Sequence, residues 1–209
     1  LEAASLTWRE MRAPGETRQS LSVMDRDSGL QYRFVMPGPE WASGDVGKSI
    51  AHILQAAEPG GLVVLSGSNP PGVPADYAAL LAAKLATRDA GLIVDTSGAA
   101  LRAVASGQHG FALLRMDREE AEGLAGTPLP ERADTARFAA SLVAAQAAKA
   151  VIVARGGDGN IIVTPDGAWH AEAAKVKVLS KVGAGDSFVA GFTLGLARGV
   201  PAHDALGFG

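Results

Sequence analysis

Two periodicities divide this chain. Ser20-Leu21-Ser22-Val23-Met24 and Gln31-Tyr32-Arg33-Phe34-Val35-Met36 alternate polar and apolar positions, the two-residue period of a strand. Asp27-Ser28-Gly29 between them supplies turn chemistry, so the pair reads as a β-ribbon that stops at Pro37-Gly38-Pro39. Beyond it the pattern changes to a βα rhythm. Helices are predicted over 46–57, 75–87, 99–105, 118–124 and 133–148, with short apolar strands over 62–65, 92–94, 111–114 and 150–153. A hairpin of 160–164 with 169–172 follows across Pro165-Asp166-Gly167, and a Gly-rich turn at 183–185 opens a last helix. Unbroken apolar strands between amphipathic helices predict an α/β fold, a mainly parallel sheet covered on both faces, whose ligands bind at the carboxyl ends of its strands. The expected organisation is a ribbon segment at 18–37 followed by an α/β domain at 38–209.

Composition narrows the function. At 209 residues, 47% hydrophobic and 20% charged, the chain can bury a substantial core. Its net charge of −3, without a block of like charges, argues against nucleic acid and for a small-molecule partner. The absence of cysteine excludes disulfides, thiolate metal sites and cysteine nucleophiles, and is compatible with a reducing cytoplasm. No apolar run approaches the ~18 residues of a spanning helix, so no membrane partner is expected. The sequence opens on Leu1 rather than Met and stops at Gly209 within a helical pattern, so both ends read as cut.

The run Val182-Gly183-Ala184-Gly185-Asp186-Ser187-Phe188 carries the clearest chemistry. Its glycines permit a tight turn, and Phe188, Val189, Phe192 and Leu196 continue as one helical face. Such a helix N-terminus aims unpaired N–H groups at an anion and suits charge developing on a transferring phosphoryl group. Asp186 beside it has two readings, a base that takes a proton from an attacking hydroxyl or a helix cap. The run lacks the Gly-Lys-Ser/Thr ending of a P-loop and the preceding strand of a dinucleotide fingerprint.

Gly183-Ala184-Gly185-Asp186 followed by Ser187-Phe188-Val189-Ala190-Gly191 resembles the carboxy-terminal signature of PfkB-type carbohydrate kinases, members of the ribokinase-like superfamily. Other segments agree in order. Ser66-Gly67-Ser68-Asn69-Pro70-Pro71-Gly72 resembles the family's Ser-Gly-Ser-x-Pro-Pro-Gly loop, Val94-Asp95-Thr96-Ser97-Gly98 its next strand end, and Arg155-Gly156-Gly157-Asp158-Gly159 its nucleotide loop. Thr17-Arg18-Gln19 with residues 31–38 is similar to the family's 6-phosphofructokinases, and the signature is shared with 1-phosphofructokinases and tagatose-6-phosphate kinases.

The resemblance implies ATP-dependent phosphorylation of a sugar phosphate, most specifically fructose 6-phosphate to fructose 1,6-bisphosphate, with ATP and Mg2+ as cofactors. Position by position it makes Gly183, Ala184 and Gly185 the anion hole and Asp186 the base. It places ATP along Arg155, Gly156, Gly157 and Gly159, with Asp117, Lys181, Gly183 and Gly185 also on the nucleotide. Glu120 would hold magnesium through water. Arg18 would grip the sugar's own phosphate, a task suited to a guanidinium fork, with Ser66, Ser68, Asn69 and Asp186 also on the sugar. The ribbon becomes a lid that pairs with a second subunit in a homodimer.

Each residue also has a plainer reading: a solvated helix face for Glu120, a surface arginine for Arg18, and turn chemistry for Ser66, Ser68 and Asn69. Two positions depart from the family. Arg115-Met116-Asp117 stands where Lys-Pro-Asn is common, and Lys181 where Thr is usual. Asp117 either binds magnesium or repels the nucleotide, and Lys181 either offsets that charge or is solvated. They motivate a rival reading, a catalytically silent sugar- or nucleotide-binding relative. His52, His109, His170 and His203 lack ligand spacing and read as structural; Trp8, Trp41 and Trp169 read as packing residues.

Overall fold

The computed structural model describes residues 7–178 and 182–209, in two compact units. The first unit comprises residues 7–56 together with Asn69–Pro74. Its strands β1 (Ser20–Met24) and β2 (Gln31–Val35) pair antiparallel, Ser20 opposite Val35 and Met24 opposite Gln31. Asp25 closes the turn: one carboxylate oxygen accepts the Asp27 N–H at 3.0 Å and the other accepts the Ser28 hydroxyl. Gly29 takes the left-handed φ of 70° that finishes it. This register places Leu21, Val23, Tyr32 and Phe34 on one face, and all four are exposed. Helix α1 (Ser43–Ala56) belongs to the same unit. So does the Pro-Pro-Gly loop, which packs so closely on Trp41 that a Cβ on Gly72 would meet its carbonyl oxygen at 2.1 Å.

The second unit holds a six-stranded sheet of β3 (Leu62–Ser66), β4 (Gly91–Asp95), β5 (Leu113–Asp117), β6 (Val151–Ala154), β7 (Asn160–Thr164) and β8 (Gly167–Ala171), in that order. The first four are parallel and the last two add as an antiparallel hairpin. Between them run α2 (Tyr77–Ala86), α3 (Gly98–Ala105), α4 (Arg118–Ala125) and α5 (Arg132–Ala144). Helix α6 (Ala184–Ala197) and the single turn α7 (Ala202–Ala205) follow β8.

Alternation along the strands explains the two-sided cover. Ile93, Leu113, Ile152 and Ile162 form one buried cluster with Phe188, Val189 and Phe192 of α6. The intervening Leu92, Val94, Leu114, Val151 and Val153 are buried on the other face, where α2 contacts β4 and α5 contacts β6 and β7. The α/β architecture thus agrees with the sequence pattern. The strand order does not reverse among the described strands, so no topological switch marks a ligand crevice.

Of the boundaries that differ from the predicted ones, those of α5 and β5 have identifiable reasons. The Ala-rich run extends a helical pattern to 148, but α5 ends at Ala144 because Gln146 turns left-handed (φ 61°), and Ala148 then bridges Phe111. Strand β5 runs on past 114 to Asp117 because Arg115 and Asp117, polar letters that read as loop, stay in the ladder opposite Ile152 and Ala154, Arg115 paired with Asp95 of β4 and Asp117 capping α4. No helix among the described residues is long and apolar enough to cross a membrane.

Candidate active site

The carboxyl ends of the parallel strands gather polar side chains at one edge of the sheet. Strand β3 ends on Ser66, β4 on Asp95, and β5 on Arg115-Met116-Asp117. The link after β3 is held by backbone: Gly67 N–H donates to Asp95 O at 2.8 Å and Thr96 Oγ1 donates to Gly67 O at 2.9 Å. The start of α6 reaches the same edge, because Ser66 Oγ donates to Asp186 Oδ1 at 3.0 Å. That bond orients the carboxylate and leaves Oδ2 for another partner.

Gly183, in the left-handed region at φ 79°, is the N-cap of α6 and has no side chain to cap it. Ser187 N–H is the first to bond back, to Gly183 O at 2.9 Å. The N–H groups of Ala184, Gly185 and Asp186 therefore lack intrahelical acceptors, as in any first turn, an arrangement able to bind an anion. Asp186 sits in that turn without capping it, since its carboxylate is turned to Ser66.

Around this turn lie three more carboxylates and a guanidinium. Arg115 Nη1 stands 3.3 and 3.5 Å from the two oxygens of Asp95. Its guanidinium lies against Gly185, where an added Cβ would stand 3.2 Å from both terminal nitrogens. Burial raises Asp95 above the ordinary carboxylate value, Arg115 opposes the rise, and Asp186 and Asp117 add to it. Burial likewise raises Glu120, against the Asp117 N–H that it accepts.

Asp117 and Glu120 form a capping box at the start of α4. Glu120 N–H donates to Asp117 Oδ1 at 2.8 Å, and Asp117 N–H donates to Glu120 Oε2 at 2.9 Å. Each carboxylate keeps its second oxygen outside the box. Among the described residues no group of three acidic or histidine side chains could hold a metal alone. The donor set fits Mg2+ kept by waters and nucleotide phosphates, with these carboxylates at its periphery, and does not fit an all-protein cage.

The loop of Arg155 to Gly159 follows β6 at the same edge. Gly156 (φ 61°) and Gly159 (φ 90°) make the turn, and a Cβ on Gly159 would fall 1.9 Å from Ala171 O. The Arg155 guanidinium is buried and faces inward. Nε donates to Asp158 Oδ2 at 2.8 Å, Nη2 to Pro130 O at 2.7 Å, and Nη1 to Leu129 O at 3.0 Å and to the Thr135 hydroxyl. Used in this way, Arg155 latches the loop to α5 and has no fork to offer a nucleotide. Asp158 is gripped from outside by Arg132.

The other sequence-predicted residues fall as follows. Ser68 is exposed in the loop after β3, and Gly157 is exposed in the loop after β6. Asn69 directs its amide to Pro74 O at 3.0 Å, so turn chemistry accounts for its donor. Arg18 is exposed just before β1, against Gly38 in its own unit. Lys181 lies outside the described residues. Sequence reasoning passed over Asp95 and treated Arg115 only as a departure; the signal was a polar residue ending each buried strand. Two clefts of about 470 and 720 Å³ lie at the opposite edge, lined in part by Lys149 and Thr164, and contain none of the predicted site residues.

Comparison with known proteins places this geometry. The chain is 33% identical over 196 residues to the ATP-dependent 6-phosphofructokinase isozyme 2 of Mycobacterium tuberculosis, covering 94% of this chain and 57% of that one. It superposes with a TM-score of 0.79 and 32% identity on the Escherichia coli phosphofructokinase-2 crystal structure in complex with fructose-6-phosphate, covering 90% of this chain and 61% of that one. The tetrameric inhibited form of the same E. coli enzyme gives a TM-score of 0.82 at 34% identity, over 91% and 62%. The chain therefore spans about three fifths of the length of these relatives. The model of the pfkB family carbohydrate kinases matches residues 1–209, and with the ribokinase-like sheet and the Gly-Ala-Gly-Asp turn in place, the chain belongs to that family.

Proposed function

We propose that the intact protein transfers the γ-phosphoryl group of ATP to a hydroxyl of a phosphorylated ketohexose, most specifically fructose 6-phosphate to give fructose 1,6-bisphosphate. The observation that carries this reading is Asp186, oriented by Ser66 at 3.0 Å, in the first turn of a helix with an uncapped N-terminus. In the proposed reaction the acceptor oxygen bonds to the γ-phosphorus, the bond from that phosphorus to the β,γ-bridging oxygen breaks, and ADP leaves. Asp186 takes the hydroxyl proton, and the N–H groups of Ala184, Gly185 and Asp186 stabilise charge on the transferring phosphoryl oxygens. Mg2+, when bound, neutralises phosphate charge near Asp117 and Glu120. Gly156, Gly157 and Gly159 offer the nucleotide a backbone surface without side chains, and Arg155 supports them from beneath.

On the sugar side Arg18 is proposed for the distal phosphate, with Ser68 and Asn69 on the loop after β3. The relatives support fructose 6-phosphate, and 1-phosphofructokinase and tagatose-6-phosphate kinase activities are the alternatives within the class. Asp117 in place of the family's Asn motivates the silent-relative alternative. A screen of the intact protein with MgATP against fructose 6-phosphate, fructose 1-phosphate and tagatose 6-phosphate, following ADP release, separates them. Turnover on the first supports the proposal, turnover only on another reassigns the sugar, and none on any supports the silent relative. The exposed apolar face of Leu21, Val23, Tyr32 and Phe34 supports a homodimer paired through the ribbon. The tetrameric form known for the E. coli enzyme is a second possible assembly.

A further inference from the structure

The phosphoryl-transfer reading leaves Arg115 without a role, yet the fold invests in it. Its side chain is only 14% exposed, and its Nε is buried with no hydrogen-bond partner among the described residues. Its ion pair with Asp95 is long at 3.3 and 3.5 Å, against the ~2.7–2.9 Å of a well-made charge-assisted bond. Asp95 thus anchors the guanidinium without using it up. The plane lies against Gly185, the middle residue of the proposed anion hole, where an added Cβ would press on it at 3.2 Å. Asp95 stands within reach of the charges of Asp186 and Asp117, and Glu120 of those of Asp117 and Asp95, so a polyphosphate brought to this edge would be repelled unless a cation stood close by.

We infer that Arg115 is a positioning residue of the phosphoryl-transfer site, whose fixed charge beneath Gly185 strengthens the anion hole formed by the first turn of α6. This inference rests on the proposed function. It makes Arg115 more than the counter-ion of Asp95, and the two roles separate in a double-mutant cycle.

In the intact protein, Arg115→Met should lower kcat about 10- to 100-fold, the order expected when one stabilising group is removed from such a hole. KM for fructose 6-phosphate should move less than about twofold, and Arg115→Lys should recover part of the loss. Arg115→Met combined with Asp95→Asn should stay as slow as Arg115→Met alone. Recovery of near wild-type kcat in the double variant would show that Arg115 serves only to neutralise Asp95, and would overturn the inference. Should Arg115→Met fail to fold by thermal melting, the double variant is compared with Asp95→Asn; it should be at least about tenfold slower, and equal rates overturn the inference. Calorimetric binding of inorganic tripolyphosphate without sugar keeps the test apart from the functional reading. If the wild type turns over no sugar, that reading fails. An affinity about tenfold weaker in Arg115→Met than in wild type still supports the role of Arg115, and equal affinities refute it.

Discussion

Replacing Arg155 with methionine tests the claim that this residue holds the loop after β6, proposed to carry the nucleotide, from within. The side chain is 4% exposed, and Met fills much of its volume while offering no donor. The substitution leaves Leu129 O, Pro130 O and the Thr135 hydroxyl without the guanidinium, and Thr135 is fully buried. Asp158 keeps Arg132, so no carboxylate is stranded. An unsatisfied buried polar group costs about 1–3 kcal/mol, and with three such groups left, one of them only partly buried, a loss of about 3–5 kcal/mol is expected. With a urea slope of about 2 kcal/mol/M, the unfolding midpoint should fall by roughly 1.5–2.5 M. Arg155→Lys reaches one acceptor at a time and should recover less than half. ATP affinity should fall in the Met variant at denaturant concentrations where it is still folded, because Gly156 to Gly159 lose their support. A midpoint within about 0.3 M of wild type would refute the latch, being about the shift of an ordinary surface substitution.

The same network predicts a pH dependence. Hydrogen bonds from Arg132, then from Arg155, hold Asp158 far below its ordinary value of 3.8, so its contribution is complete above that value and is lost as pH falls below it toward the folded-state value. Between about pH 5 and about pH 3 the urea midpoint of the wild type should therefore drop more steeply than that of Asp158→Asn, and parallel curves would contradict the pairing. Arg18→Ala should raise KM for fructose 6-phosphate about 10- to 100-fold with little change in kcat, since a phosphate contact kept throughout the reaction contributes uniform binding; an unchanged KM would return Arg18 to the surface. Leu21→Ser with Phe34→Ser should convert a dimer to monomer in sedimentation at micromolar concentration, and a wild type that is already monomeric would remove the ribbon from assembly.

The fold was legible wherever one physical rule governed a segment. Alternation marked β1 and β2 through the two-residue period of a strand, although both are exposed, and unbroken apolar runs marked β4 and β6 because burial on both faces leaves that trace in the residue order. Legibility failed where tertiary contacts override local pattern. Arg115 and Asp117 read as loop because a buried strand is expected to be apolar, and only the fold reveals that Asp95 and the α4 capping box meet their charges. Helix α5 ends at a left-handed Gln146 that no helix-stopping residue announces. The Gly-Ala-Gly-Asp turn was legible as a helix start, since the apolar face of Phe188, Val189 and Phe192 begins directly after it. Arg155 shows the limit: an arginine beside glycines invites a phosphate, and nothing in its sequence neighbours indicates that Leu129 and Pro130, 26 and 25 residues earlier, take its donors.

Phosphoryl transfer by the Asp186→Asn variant is the most direct test of the account. With the intact protein, MgATP and fructose 6-phosphate, the wild type should release ADP in step with fructose 1,6-bisphosphate. The variant, isosteric and still able to accept from Ser66 at its amide oxygen, should fold normally and bind ATP with unchanged affinity. Its kcat should fall by about 10²–10⁴-fold, the range for loss of a general base. A variant that turns over within about threefold of wild type, well short of that range, would show that Asp186 only shapes the turn and that another group takes the proton.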